Sequence, residues 1–383
     1  MHRNEKSKIK IIHAGDIHLD SAFSRYGIAT GEERRAELRA VFAELIGYVK
    51  ACSADIVLLS GDLFDAEYST LGTLEMLSRE LGSCRARFFI SPGNHDPYKS
   101  DSIYASGKFP SNVHIFEREE LCSVDIPELN TEVYGWAFTG MSHGFSPLAG
   151  KRASDPSKIN LVCGHCDIES PLSGYCPVTE ADISAFGADY TALSHIHNSP
   201  EQRLAGKAPY AYSGFLESRS FDERGRGGAW LVEIEKAGET GSISAQRLNF
   251  GRRRYEVLTL DVSGAVDSDA VYTRIRAALG DRDFGTQCSL RIILTGAVGR
   301  DFSAKDVESR NYGVEYVEIK DSTLPTYDSE YLMSDMTVKG ELYRYLLPML
   351  TEGTPKERET ASHALRIGLS ALDGGDITLY TDI

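Results

Sequence analysis

The 383-residue sequence predicts an α/β protein, and three observations support that prediction. Within the first 110 residues, short apolar runs alternate with segments of helical periodicity. Each apolar run ends in a turn that carries polar residues, as buried strands of an open α/β sheet do. The composition, 42% hydrophobic and 25% charged, is that of a soluble globular protein, which excludes a disordered or fibrous chain. The length suggests two or three domains.

The first region is predicted to contain three strands and two helices. The strands are expected at residues 8–13, 55–60 and 87–91, where the sequence reads KIKIIH, DIVLLS and RFFIS. A helix between the first two strands is indicated by apolar residues spaced at i, i+3, i+4, i+7, i+8 and i+11. These residues are Leu38, Val41, Phe42, Leu45, Ile46 and Val49. A second helix is expected from about residue 70 to residue 81.

The remainder of the chain is predicted to hold further strands and then helices. Strands are expected at 113–116, 133–138, 159–165, 190–197 and 229–235, with a helix at about 179–186. From residue 255 the pattern restarts as strand, helix, strand and helix, at 255–262, 268–279, 289–298 and 303–309. From about residue 329 the sequence reads as two helices, with Gly353, Thr354 and Pro355 as turn residues between them. We therefore expect a first domain at 1–250, a small α/β domain at 255–325 and a helical segment at 329–383.

Charge and cysteine content narrow the class of protein. The 56 acidic against 41 basic residues give a net charge of −15, which argues against holding nucleic acid by bulk charge. No run approaches the roughly 20 apolar residues of a membrane span. The polar N-terminus lacks a signal region. The seven scattered cysteines are expected to be reduced thiols, so we predict a cytoplasmic protein without a membrane partner.

Five short motifs carry the chemistry, and each follows a predicted strand. They are Asp16-Ile17-His18, Gly61-Asp62-Leu63-Phe64-Asp65, Gly93-Asn94-His95-Asp96, Gly164-His165 and His195-Ile196-His197. Residues two apart in a strand point to one side, so the pairs Asp16/His18 and His195/His197 are each expected to face a metal together. The mixture of carboxylate, imidazole and amide ligands suits Mn, Fe or Zn. One such motif is usually structural, but five in this order predict a dinuclear site that hydrolyses phosphoesters.

The order of these motifs resembles the signature of the calcineurin-like metallophosphoesterases. The forms GDLFD and GNHD, followed by a smaller domain, are similar to the nuclease subunit of SbcCD-type DNA repair complexes. The opening GDIHLDSAF is similar to YhaO-like bacterial DNA repair exonucleases. The motifs cover roughly residues 8–200, and the likeness after about 255 is architectural only. The resemblance implies a two-layered β-sandwich flanked by helices, with a small α/β cap domain and a helical C-terminal segment.

The resemblance also implies a role for each motif residue. Asp16, His18, Asp62 and His197 would hold one metal ion. Asp62, Asn94, His165 and His195 would hold the second, with Asp62 bridging both. His95 would contact the scissile phosphate and help to protonate the leaving oxygen, while Asp65 would orient His95. The sequence departs from the family once, because Ser194 stands where the motif Gly-His-x-His has glycine.

The implied function is metal-dependent hydrolysis of DNA, by an exonuclease that also nicks single strands. Two Mn²⁺ ions, an SMC-like ATPase partner and a homodimer are implied with it. One alternative is a phosphatase or cyclic-nucleotide phosphodiesterase of the same superfamily. Phosphoprotein phosphatases, however, carry GNHE and an Arg-Gly after the second motif, where this chain has Ala66-Glu67. The other alternative is a catalytically silent scaffold, against which stands the complete set of ligand positions.

Basic residues after the last motif suggest a local contact with nucleic acid. Arg252, Arg253 and Arg254 precede the second predicted domain, and a mixed stretch at 203–226 includes Arg219 and Glu223. Such charge runs are usually solvated surface. Contact with phosphates is the competing interpretation, and it predicts a salt-dependent grip on DNA.

Overall fold

The computed structural model describes residues 7–24, 28–198, 201–280, 282, 284, 287–326 and 328–372. The chain divides into two compact units, Met1–Tyr255 and Glu256–Ile383. Whether the cap and the helical segment are separate domains within the second unit stays a prediction. No helix of the described residues is long and apolar enough to span a membrane. All seven cysteines lie within the described ranges and are free thiols.

The first unit contains fourteen strands and three α-helices in its described part. The strands are β1 (Ser7–Ala14), β2 (Ile56–Leu59), β3 (Arg87–Ile90), β4 (Val113–Ile115), β5 (Cys122–Ile126), β6 (Thr131–Gly135), β7 (Ile159–His165), β8 (Asp167–Ile168), β9 (Pro177–Val178), β10 (Tyr190–Ser194), β11 (Gln202–Ala205), β12 (Ala208–Tyr212), β13 (Gly228–Ala237) and β14 (Thr240–Asn249). The helices are α1 (Ile28–Ala51), α2 (Leu71–Gly82) and α3 (Glu180–Phe186).

Two mixed six-stranded sheets form the centre of this unit. The first has the order β14-β13-β1-β2-β3-β4, and the second β11-β12-β10-β7-β6-β5. Strands β1 to β4 pair in parallel with their neighbours. In the second sheet, β12, β10, β7 and β6 pair in parallel. The parallel centre of each sheet therefore brings several carboxyl ends of strands to one edge.

The hydrophobic core fills three layers around the two sheets. Between the sheets, Ile11 and Leu58 of the first pack in one cluster with Leu161 and Tyr190 of the second. The outer face of the first sheet packs against α1 and α2, and that of the second against α3. The predicted α/β class, a two-layered β-sandwich flanked by helices, is confirmed.

The helices begin where the sequence provides caps. The six apolar residues that predicted α1 are all buried. Thr70 caps α2, because its side chain accepts a hydrogen bond from the Thr73 N–H at 3.2 Å. Thr179 and Asp182 form a capping box at the start of α3. These helices pack on the outer faces and leave the strand ends free to form a site.

The second unit contains a small sheet followed by helices. Its elements are β15 (Arg254–Asp261), which starts at the boundary, β16 (Ala265–Asp267), α4 (Ser268–Leu279), β17 (Cys288–Asp301), α5 (Ala304–Glu308), β18 (Tyr316–Pro325), α6 (Ser329–Ser334), α7 (Val338–Glu352) and α8 (Pro355–Leu372). Strand β17 pairs with β15, β16 and β18. The prediction of two final helices is wrong, because a short helix α6 precedes α7. Pro355 is not a turn residue but begins α8, where its missing N–H costs nothing. Residues 373–383 lie outside the described residues.

Candidate metal centre

The five motifs lie at the carboxyl ends of β1, β2, β3, β7 and β10. His165 is the last residue of β7, and the other predicted ligands lie in the loops that directly follow their strands. The structure brings them into three groups whose ligand atoms lie within 4.8 Å of one another. The groups are Asp16, His18 and His197; Asp16, Asp62 and His165; and His18, Asp65 and His95.

Sharp turns, rather than strand alternation, direct these side chains. The expectation that Asp16/His18 and His195/His197 lie in strands is wrong, because β1 ends at Ala14 and β10 at Ser194. Asp16, His18, Asp62 and His195 instead have positive φ angles of 46°, 49°, 50° and 107°. Such angles are costly for residues with a Cβ and concentrate at functional sites. The loop is held in place because the N–H of His18 donates to the Asp62 carbonyl at 2.9 Å.

His18 is buried and presents an unsatisfied ring nitrogen to the centre. Its Nδ1 lies 2.7 Å from Asp65 Oδ1, which as a carboxylate oxygen accepts, so Nδ1 carries the proton. Burial lowers the His18 pKa, and the neutral ring then has a lone pair on Nε2. That nitrogen has no hydrogen-bond partner among the described residues and lies 3.7 Å from Asp62 Oδ2. Two acceptors facing one another in a buried site call for a cation between them.

His197 repeats this arrangement on the same side of the centre. Its Nδ1 lies 3.0 Å from Glu223 Oε1, and its Nε2 lies 3.8 Å from Asp16 Oδ1. The His18 and His197 rings are 5.4 Å apart between centroids. We refer to Asp16, His18 and His197, with their partners Asp65 and Glu223, as the first half of the centre.

The second half of the centre consists of Asn94, His165 and His195. The Nε2 atom of His165 lies 3.0 Å from Asn94 Oδ1 and 3.5 Å from Asp62 Oδ2. The ring centroid of His195 lies 5.0 Å from that of His165. The backbone N–H of His195 donates to the Asp16 carboxylate at 3.1 Å. Within the described residues, His195 belongs to none of the three ligand groups. The structure thus places Asn94 and His165 together and His195 beside them.

Asp62 lies between the two halves. Its Oδ2 is 3.7 Å from Nε2 of His18 and 3.5 Å from Nε2 of His165. Its Oδ1 accepts a hydrogen bond from the backbone N–H of His95 at 2.9 Å. In this position Asp62 would be within reach of an ion in either half.

The electrostatics of the two buried aspartates also fit cations. Burial raises the pKa of Asp16 to about 7, with the neighbouring Asp62 carboxylate adding to the shift. Burial opposes ionisation of Asp62 as well, but His165 and His18 outweigh it and lower the Asp62 pKa. Two carboxylates this close do not both ionise easily without positive charge between them. Together with the orphaned Nε2 of His18, the donor set fits two divalent metal ions.

His95 differs from the other motif histidines because its side chain is 51% exposed. Its Nδ1 lies 3.3 Å from Asp65 Oδ1, and its ring centroid lies 4.9 Å from that of His18. The hydrogen bond to Asp65 raises the His95 pKa to about 9, so the ring is protonated at neutral pH. An exposed, cationic imidazole beside the centre can donate a proton to a bound substrate.

Sequence reasoning missed a buried ion-pair network behind the first half. Arg219 lies in the stretch interpreted as mixed surface, yet its Nε donates to Glu223 Oε1 at 2.9 Å. Its Nη1 donates to Ser21 Oγ at 2.9 Å and lies 3.9 Å from Asp65 Oδ2. Burial opposes ionisation of Glu223, but Arg219 and His197 outweigh it and lower the Glu223 pKa to about 2. Arg219 and Glu223 are only four residues apart, but no local sequence pattern marks their contacts with the distant residues Ser21, Asp65 and His197.

Asp96 is a second residue whose role emerges only in three dimensions. Its carboxylate accepts the N–H groups of Leu63 at 2.6 Å and Gly93 at 2.7 Å, and the hydroxyl of Tyr104 at 2.6 Å. It therefore joins the loops after β2 and β3, which carry Asp62 and Asn94.

The arginines at 252–254 are not a free basic patch. Arg253 Nε donates to Glu37 Oε2 at 2.7 Å, and Arg252 pairs with Glu44. Both glutamates lie on α1, so these two cations already have acidic partners within the first unit. These ion pairs weaken the hypothesis that Arg252, Arg253 and Arg254 bind DNA phosphates.

Comparison with known proteins agrees with the geometry. Residues 9–199 match the family model of the calcineurin-like phosphoesterases. The chain therefore carries a domain of the calcineurin-like metallophosphoesterase family, whose members use divalent metals.

Three curated relatives extend the likeness beyond that domain. The chain is 28% identical over 303 residues to the uncharacterized metallophosphoesterase YhaO of Bacillus subtilis, covering 75% of this chain and 72% of that protein. It is 23% identical over 337 residues to the DNA double-strand break repair protein Mre11 of Saccharolobus solfataricus, covering 84% of each. It is 24% identical over 262 residues to a subunit of the nuclease SbcCD of Staphylococcus saprophyticus, covering 59% of this chain and 66% of that protein.

Proposed function

We propose that this protein is a two-metal DNA phosphodiesterase, an exonuclease that also nicks single-stranded DNA. The observation that carries the proposal is the position of His95, exposed and protonated beside a buried cluster that fits two cations. In this proposal, Asp16, His18, Asp62 and His197 hold one ion, and Asp62, Asn94, His165 and His195 the other. Mn²⁺ is the proposed working metal, because mixed carboxylate, amide and imidazole donors suit it.

The residues of the chain divide the work between binding and proton transfer. The ligand residues would hold two divalent ions, which when bound would supply an activated water and positive charge for the phosphate oxygens. His95 donates its proton to the leaving oxygen of the phosphodiester, where negative charge develops. Asp65 keeps that imidazole charged and oriented through the contact at 3.3 Å. The side chain of His95 is exposed enough for a long substrate to reach it.

DNA is the proposed substrate because of the relatives rather than the site itself. The names of two relatives specify DNA double-strand break repair and a nuclease. The likeness to the repair protein extends over 84% of this chain and so includes part of the second unit. A phosphatase or cyclic-nucleotide phosphodiesterase of the same family is the rival, since the centre alone would serve either.

A comparative hydrolysis assay tests the proposal. The protein is incubated with Mn²⁺, Mg²⁺ or Zn²⁺ and with end-labelled duplex DNA, single-stranded DNA, plasmid and a nitrophenyl phosphodiester, each with an EDTA control. We expect metal-dependent release of nucleotides from DNA and nicking of single strands. Hydrolysis of the nitrophenyl ester without any action on DNA would support the rival enzyme, and inactivity on all substrates would support a silent scaffold.

We propose further that the nuclease works as a homodimer with an SMC-like ATPase. An exposed apolar surface in the second unit supports a protein partner: Val338, Tyr345 and Met349 lie on one side of α7, and Met336 before it is 89% exposed. Analytical ultracentrifugation of the purified chain, alone and with the SMC-like ATPase of the same organism, tests both statements. A monomer that forms no complex would contradict them.

A further inference from the structure

Ser194 is the residue at which this chain departs from the Gly-His-x-His pattern of the family that it resembles. It is the last residue of β10, and its register partner on the parallel strand β7 is His165. Both side chains are completely buried. The serine hydroxyl therefore meets the imidazole in a place that solvent does not reach.

The hydrogen bonds of Ser194 have a defined direction. Its Oγ is in contact with the carbonyl oxygen of Ser60, and a carbonyl can only accept, so the hydroxyl proton is donated there. The same Oγ lies 3.0 Å from His165 Nδ1. Since the hydroxyl has one proton and has already donated it, Oγ accepts from Nδ1, which must carry the ring proton. A neutral His165 then has its lone pair on Nε2.

The opposite side of the ring is arranged for a cation. Nε2 lies 3.0 Å from Asn94 Oδ1 and 3.5 Å from Asp62 Oδ2. With the proton on Nδ1, these three atoms are all acceptors. Ligands that bind one metal ion at about 2.0–2.2 Å lie about 3 Å from one another, as Nε2 and Oδ1 do here.

The backbone packs closely around the Nδ1 side of the ring. A Cβ atom at Gly61, whose φ is +121°, would lie 2.3 Å from His165 Nδ1. A Cβ atom at Gly15 would lie 2.6 Å from Ser194 Cβ and 2.7 Å from its Oγ. The loops after β1 and β2 thus pack directly against the serine and the imidazole.

We infer that Ser194 is a positioning residue that holds the His165 proton on Nδ1 and so keeps Nε2 free for the second metal ion. The inference rests on the metal centre proposed above. The hydroxyl acts through His165 and touches neither substrate nor metal. The chain thereby uses a neutral partner in the second half of the centre, where the first half uses carboxylates.

Removal of the hydroxyl leaves the imidazole with one simple response. In Ser194→Ala, an Nδ1 proton would lose the hydroxyl as its acceptor and would keep only the backbone carbonyl of Ser60 near the ring. Moving the proton to Nε2 allows it to be donated to Asn94 Oδ1, 3.0 Å away. That tautomer blocks the metal-binding nitrogen. We expect affinity at the second site to fall by about 10–100-fold, as for other partners of metal-binding histidines, with the first site unchanged.

The test uses the full-length metal-free protein labelled with ¹⁵N-histidine. Two-bond nitrogen–proton correlation spectra report which ring nitrogen of His165 carries the proton, and His165→Gln assigns its signals. Isothermal titration with Mn²⁺ then measures both binding steps. Ser213→Ala is the matched control, because Ser213 is also buried just after a strand of the same sheet and donates to a carbonyl, that of Gly214, at 2.9 Å. Ser194→Cys serves as a second variant should Ser194→Ala fail to fold, because a thiol sulfur is only a weak acceptor.

We expect an Nδ1 proton in the wild type and in Ser213→Ala, and an Nε2 proton in the Ser194 variant. In the Ser194 variant the loss of affinity should be confined to one of the two binding steps. An Nδ1 proton and unchanged affinities in the Ser194 variant would overturn the inference, as would an equal loss in Ser213→Ala. A wild-type protein that binds fewer than two ions would refute the metal centre itself, whatever the tautomer. DNA hydrolysis does not enter the readout, so a failure of the nuclease proposal is recognised separately.

Discussion

The two halves of the candidate centre differ in the side chains that accept the Nδ1 protons of their histidines. In the first half, carboxylates lie behind the histidines, with Asp65 at His18 and Glu223 at His197. In the second half, the hydroxyl of Ser194 lies behind His165. The first half is assembled largely from loops and is partly exposed, with 25% of the His197 side chain open to solvent. In the second half Asn94 and His165 are buried, while His195 is half-buried like His197.

This difference predicts unequal metal sites. A carboxylate that accepts the Nδ1 proton makes the imidazole a stronger ligand than a hydroxyl does. The first half also contains Asp16, whereas the second half shares the Asp62 carboxylate and adds the neutral Asn94. We therefore expect the first half to bind its ion more tightly, and the following substitutions separate the two halves in order of expected effect.

Asp62→Ala should abolish hydrolysis and lower the metal content of both halves, because Asp62 Oδ2 lies within 3.7 Å of histidine nitrogens on either side. Metal analysis and the DNA assay measure the two effects together. An active variant that retains two ions per chain would refute the bridging role and, with it, the division into two halves.

His95→Asn should leave the fold and both ions in place and reduce turnover on DNA by about 10²–10⁴-fold, the usual value of a general acid. The loss should be smaller on a substrate with a nitrophenolate leaving group, which hardly needs protonation. Steady-state kinetics on the two substrates test this. Equal losses on both, or a lower metal content, would assign His95 to the metal site rather than to the substrate.

Glu223→Gln should weaken binding at the first half by about 10–100-fold and spare the second, because it removes the charged partner of His197 Nδ1. Calorimetric titration with Mn²⁺ measures the two steps. Glu217→Gln is the control, because Glu217 is also a buried acid on the same segment. Its carboxylate accepts the backbone N–H groups of Arg252 and Arg253, at 2.8 and 3.0 Å, rather than a group of a motif histidine. An equal change in both variants would mean that any buried charge here affects the centre.

The pH dependence of DNA hydrolysis should show the smallest effect. His95 acts in its protonated form, and the hydrogen bond to Asp65 raises its pKa to about 9. The rate should therefore fall as the pH rises through about 9, or somewhat below it when nearby cations are bound. In Asp65→Asn, the pH at which the rate falls should move toward 6.5, the ordinary pKa of a histidine. This variant is assayed at saturating metal, because Asp65 also holds His18. An unmoved alkaline limb would show that another group titrates there.

The strand-end part of the site was open to prediction from sequence, because it follows from a local rule. Apolar runs ending in polar turn residues place Asp16, Asp62, Asn94 and His165 at one edge of the sheets, and the structure brings these residues together. The apolar periodicity of α1 and the β-strand pattern of β7 likewise predicted their elements closely.

The rest depended on contacts between distant segments. Glu223 reaches His197 through a loop with no diagnostic spacing, and Ser194 acquires its role only when β10 lies beside β7. The turns at Asp16 and His195 have positive φ, which neither residue type announces in sequence. Residues 252–254 show the converse case, because the basic run alone did not reveal that glutamates of α1 pair with two of its arginines.

Anomalous scattering from crystals of the protein grown with Mn²⁺ would show directly how many ions the site binds and where they lie. We expect two peaks, one on each side of the Asp62 carboxylate. The first should lie among Asp16, His18 and His197, and the second should lie beside Asn94, His165 and His195. A single peak, or manganese bound away from Asp62, would contradict a two-metal centre assembled from the five strand-end motifs.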